Sequence, residues 1–207
     1  MNKTWVDHWM QVLFSHQKDK KRKISILFEP TPVLYKKLES GDDSDLEAVA
    51  GEMSRYIGLN NAPAVVYEWS LKMKPEAAGQ IRYSGSTRSQ IQIPIFYVGK
   101  PYELGAILAH ELTHEFFACE GITCDNAVEL EQLTDLASIS IGLGKLVLNG
   151  TVSIVVPATG EHHVLGYLTP ELKAYTYQKI NKKYKIRDVA AKEYLTENAL
   201  RILRAFI

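Results

Sequence analysis

Two histidines four residues apart inside an apolar run constrain this chain more than any other feature. His110 and His114 fall one turn apart on the same face of a helix. Leu104, Ile107 and Leu108, together with Ala106, Ala109, Phe116 and Phe117, occupy the rest of that helix. Such a helix must be enclosed by other elements while one strip of it stays polar. The fold therefore needs enough chain to wrap a central helix, and 207 residues suffice for one well-buried domain.

Imidazoles at i and i+4 can converge on one metal ion, with Glu111 beside the ion but not bound to it. With only 6 His in the chain, a shuffled sequence would contain H-E-x-x-H about once in a hundred, so the spacing carries information. The alternative is a surface helix whose histidines and acids merely pair with each other. The apolar flanks argue against it.

A catalytic zinc site takes three protein ligands and keeps a fourth position open, so one ligand must come from elsewhere. The next helical stretch offers Glu129, Glu131 and Asp135. Glu131, Asp135, Ser138 and Gly142 lie at i, i+4, i+7 and i+11 and form one narrow stripe. Laid against the histidine helix, this stripe brings Glu131 to the metal and sets Asp135 one turn deeper. There Asp135 can accept the free ring N–H of a ligating histidine, His110 first. Ser138 and Gly142 would permit close approach, and Glu129 points away. The same acids could instead be an ordinary helix N-terminal cluster, and Glu120 and Asp125 in the connection are weaker competitors.

His110-Glu111-Leu112-Thr113-His114 followed by Glu131-Gln132-Leu133-Thr134-Asp135 resembles the gluzincin metallopeptidases, in particular the thermolysin-like HELTH and E-x-x-x-D pattern. The resemblance covers residues 104–144, about a fifth of the chain. It implies a zincin-like fold, one catalytic Zn2+ on His110, His114 and Glu131, Glu111 as general base, and Asp135 supporting His110. The gap from His114 to Glu131 is shorter than in the large members, and the chain has no room for their long C-terminal domain. It looks like a minimal gluzincin. Large members hold the oxyanion with a downstream tyrosine and histidine. No motif matches these here, and the candidates are His162, His163 and Tyr167.

The remaining pattern predicts an α+β fold in a single domain over 1–207. An upper lobe (about 1–118) would carry a small mixed sheet, a backing helix and the active-site helix, and a mainly helical lower lobe (about 119–207) would follow. Helices are expected at 4–17, 33–38, 44–57, 101–118 and 126–148, then from Pro170 and from Asp188. Strands are expected at 24–28, 64–71, 80–83 and 89–96, with a hairpin of 152–156 and 163–165. Pro94 marks 89–96 as an edge strand whose backbone groups could pair with an extended peptide.

Lys plus Arg and Asp plus Glu both number 24, so the long-range field that gathers nucleic acid or anionic lipid is absent. The expected partner is a peptide or protein substrate. The basic run 18–23 reads as a solvated connection. The apolar stretch 136–148 is interrupted by Lys145 and too short to span a bilayer, and the first 23 residues show no secretory signal. No membrane span and a cytoplasmic setting are therefore expected. Cys119 and Cys124 lack a second pair and read as reduced, packed thiols. The function expected is a zinc-dependent hydrolase acting on amide bonds. Its rival is a zinc-binding regulatory or scaffold protein without turnover.

Overall fold

Capping residues set most helix starts. In the computed structural model, which describes residues 1–19, 27–61, 63–68, 78–83, 89–151, 153–155 and 162–206, α1 spans Lys3–Asp19 and α2 spans Pro32–Glu39, with the Thr31 side chain accepting from Leu34 N. Helix α3 (Asp43–Tyr56) is capped by Asp42, which accepts from Ser44 N, so Asp42 and not Ser44 begins it. The carboxylate also favours the helix dipole.

Strands β1 (Ala64–Glu68), β2 (Gln80–Arg82) and β3 (Gln90–Pro94) form one mixed sheet in the order β1-β3-β2. β1 runs parallel to β3, with Val65 opposite Ile91, and β2 runs antiparallel to it, with Ile81 opposite Ile91. This corrects the reading of Pro94. β3 is the central strand, and Pro94 is tolerated because it is the last residue, where the chain passes into a 3-10 turn at Ile95–Tyr97. The strand expected at 24–28 and the basic run 18–23 lie largely outside the described residues, and 27–30 have no strand structure.

Helix α4 (Pro101–Glu120) starts with proline in its first turn and ends at Gly121, whose φ of 68° is the left-handed cap glycine supplies readily. It is buried nearly all round, with Leu104, Leu108, Ala109 and Leu112 fully covered. Helix α5 (Ala127–Ser138) is capped by Asn126. The helix expected to continue to residue 148 breaks: a wide π-type turn at Ile139–Leu143 contains Gly142 at φ 104°, and α6 (Gly144–Asn149) follows. β4 (Ser153–Val155) and β5 (His162–Val164) form the hairpin. Thr169 caps α7 (Pro170–Lys183). Where one terminal helix was expected there are two short ones, α8 (Asp188–Lys192) and α9 (Glu197–Ala205).

One apolar cluster runs from Val6 in α1 through α3, the sheet and α4 to Leu203 in α9. Cys119 is exposed and Cys124 partly exposed, so neither packs in the core as expected. No described helix is long and apolar enough to cross a membrane.

Candidate metal centre

Helices α4 and α5 are fastened to each other by buried hydroxyls. Ser138 Oγ, which bonds to the Thr134 carbonyl of its own helix at 2.8 Å, lies 2.8 Å from Thr113 Oγ1 and 3.3 Å from the Ala109 carbonyl, and Thr113 Oγ1 donates to that carbonyl at 2.7 Å. Small side chains at these positions let the helix backbones approach, which carries Glu131, two turns earlier on α5, across to the histidines. Gly142 takes no part in this contact. A Cβ there would meet the Tyr56 hydroxyl of α3.

His110 Nε2 is 2.9 Å from Glu131 Oε2 and 3.1 Å from His114 Nε2, and His114 Nε2 is 3.3 Å from Glu131 Oε2. Three ligands about 2.0–2.1 Å from one tetrahedral ion would stand about 3.3 Å apart. The observed triangle is that size, slightly contracted. Among the described residues, these three form the group of His, Cys, Asp and Glu side chains able to hold a metal ion. The donor set also fits in its chemistry: two imidazole nitrogens and a carboxylate oxygen stand close together, and a shared proton satisfies only one pair of them at a time.

Asp135 stands behind His110, accepting from its Nδ1 at 2.8 Å through Oδ1. That hydrogen bond turns Nε2 toward Glu131 and His114, as the nitrogen that could coordinate an ion, and orients the ring. The other carboxylate oxygen accepts the backbone N–H groups of Tyr167 at 2.6 Å and Leu168 at 2.9 Å. Nothing in the sequence indicated these two bonds, nor the buried Lys173 of α7, which donates to the Leu165 carbonyl at 2.6 Å. Burial pushes Lys173 below its usual range, and the Asp135 charge opposes that.

The electrostatics call for positive charge. Burial pushes His110 toward neutrality, but hydrogen bonds to Asp135 and Glu131 outweigh it and hold the imidazole at about 10. Burial likewise works to raise Glu131, yet its hydrogen bonds with His110 and His114 bring it down to about 2. Asp135 is kept below the usual carboxylate range against its own burial, first by the His110 hydrogen bond and then by Lys173. The two carboxylates thus favour a positive charge on His110.

Glu111 is buried and lies beside the triangle. Burial pushes its carboxyl up, opposed by the neighbouring histidines and by the Ile81 N–H that donates to it. A Cβ on Gly79 would stand 2.8 Å from Glu111 Oε1, so the absence of a side chain there lets the edge strand lie over the carboxylate. A cavity of about 410 Å³ joins these parts, a size usual for small-ligand sites. The β2 side contributes Gly79 and Ile81, apolar walls come from Ile107, Val147 and Leu165, and Tyr167 also lines it.

The Tyr167 ring stacks on His110 with centroids 5.6 Å apart and planes at 27°. It is thus brought to the centre. His162 and His163 belong to strand β5, not to the connection after it, and their side chains lie outside the described residues. Glu129 points away, accepting from the indoles of Trp5 and Trp9 at 3.0 and 3.1 Å, and Glu120 pairs with His16.

No protein-family model matches the chain, and no curated protein or solved structure does either.

Proposed function

We propose that this protein is a zinc-dependent hydrolase, a small metallopeptidase of gluzincin type that cleaves amide bonds in peptide or protein substrates. The observation that carries the reading is the convergence of His110 Nε2, His114 Nε2 and Glu131 Oε2 within 3.3 Å of one another while buried Glu111 flanks them on the same cavity. Two imidazoles and one carboxylate in a tetrahedral-sized triangle favour zinc over calcium or magnesium, which prefer more oxygen donors.

Zinc held there supplies Lewis acidity that polarises a carbonyl and makes water a nucleophile near pH 7. Glu111, raised by burial, takes the water proton and later passes it to the leaving amine. His110 is kept in one tautomer by Asp135 throughout. Tyr167, stacked on His110, lining the cavity and 46% exposed, is the candidate to hold the developing oxyanion. An extended substrate is placed along β2, which borders the cavity, and not along β3.

The test is elemental analysis of the purified protein followed by a peptide-library cleavage assay with and without chelator. One zinc per chain and chelator-sensitive cleavage are expected. Stoichiometric zinc without cleavage would leave the scaffold reading, and a protein that binds no zinc would refute both.

A further inference from the structure

Asp135 is shared between two parts of the molecule. Its Oδ1 holds His110, and its Oδ2 holds the turn 165–168 through the N–H groups of Tyr167 and Leu168. Lys173 holds the same turn through a backbone carbonyl. Its ammonium donates to the Leu165 carbonyl at 2.6 Å, lies 3.4 Å from Thr151 Oγ1, and is 2% exposed.

Against both the acid and the lysine lies Gly166, with φ 90°. A Cβ at Gly166 would come within 2.6 Å of Asp135 Oδ2 and 2.8 Å of Lys173 Nζ. Only a residue without a side chain both adopts this conformation and leaves the two charges this close to the backbone. The turn's outer residue, Tyr167, is the one stacked on His110.

A lysine this deeply buried is retained only with partners for its charge. Here every partner found for it is either in the turn, on the adjoining Thr151, or the carboxylate that also supports a metal ligand. We propose that Lys173 is a positioning residue: with Asp135 it clamps the turn 165–168, holds Tyr167 against His110, and couples metal binding to the order of that turn. The inference uses the proposed function only for its metal, not for peptide cleavage. The coupling is reciprocal. A metal that fixes His110 fixes the Asp135 carboxylate and so the Tyr167 and Leu168 amides, and a loosened turn weakens the hold on the metal.

The experiment is residue-resolved hydrogen exchange on metal-free and zinc-loaded protein, with a chelator-competition titration of zinc. In the wild type, zinc should slow exchange at the Tyr167 and Leu168 amides at least tenfold. Lys173→Met should speed exchange at these two amides at least tenfold while Leu108 and Leu112 in α4 keep theirs, should weaken zinc affinity about 10–100-fold, and should be rescued in part by Lys173→Arg. A role confined to general stability would accelerate exchange everywhere. If Lys173→Met does not fold, Thr151→Val, which removes one acceptor, should give a smaller acceleration at the same two amides. Zinc that binds the wild type without slowing these amides, or Lys173→Met with wild-type protection there, overturns the proposal. Neither readout involves hydrolysis, so a protein that shows this coupling and cuts nothing refutes the peptidase reading alone.

Discussion

His110 Nδ1 and Asp135 Oδ1 are 2.8 Å apart, and this one hydrogen bond decides which imidazole nitrogen of His110 faces Glu131 and His114. Asp135→Asn retains the shape but can present an amide N–H to a nitrogen that must itself donate. About 10–100-fold weaker zinc binding is expected, read by competition with a chelator of known affinity. Unchanged affinity would remove Asp135 from the metal centre.

Glu111 is flanked by His110 and His114 but absent from the ligand triangle. Glu111→Gln should therefore keep one zinc per chain by elemental analysis and lower hydrolysis by about 10²–10⁴-fold, the usual contribution of a general base. Undiminished cleavage would exclude the role given to Glu111.

Tyr167→Phe keeps the ring on His110 and removes only the hydroxyl. If that hydroxyl stabilises the transition state, kcat should fall about 10–100-fold with KM little changed, because an interaction made only in the transition state is lost. A rise in KM alone would instead assign Tyr167 to substrate binding.

Much of the centre was legible in the sequence because it depends on helical spacing. His110 and His114 on α4, and Glu131 and Asp135 on α5, needed only the 3.6-residue repeat and a helix pair close enough for Ser138 to reach the Ala109 carbonyl. Lys173 was not legible. Between Leu172 and Ala174 it looks like any lysine of an amphipathic helix, and what buries it is a turn whose placement depends on Asp135, 38 positions earlier. Pro94 misled for a related reason. A missing N–H marks an edge only within a strand, and β3 ends at that residue.

The pH dependence of stability should reverse when metal is removed. In metal-free protein, His110 is raised from 6.5 to about 10, so its contribution is full below about pH 6.5 and lost as pH rises through about 10. Glu131 is lowered from 4.5 to about 2, so its contribution is full above about pH 4.5 and lost as pH falls through about 2. The metal-free Tm should peak between these limits and decline on the alkaline side. With zinc present, protons compete for the same ligands, so Tm should rise from about pH 5 to 8. Calorimetric scans with and without chelator give both curves, and parallel curves would mean that metal and proton do not share the site.

Gly142 offers a test of the fold apart from the metal. Its φ is 104°, its carbonyl accepts from Phe28 N at 2.9 Å, and an added Cβ would stand 2.4 Å from the Tyr56 hydroxyl. Gly142→Ala should incur about 1–3 kcal/mol of backbone strain and a similar amount from overpacking. At about 2–4 °C per kcal/mol for a chain this long, a Tm lower by about 4–24 °C follows. Adding Tyr56→Phe removes the nearest atom, so the double variant should recover part of the steric loss but none of the strain, giving a coupling between the two sites. Zinc stoichiometry should hold, because Ser138 and Thr113 still join α5 to α4 upstream of the break. A Gly142→Ala protein that melts with the wild type would mean that residues 126–148 form the single helix the sequence pattern suggested.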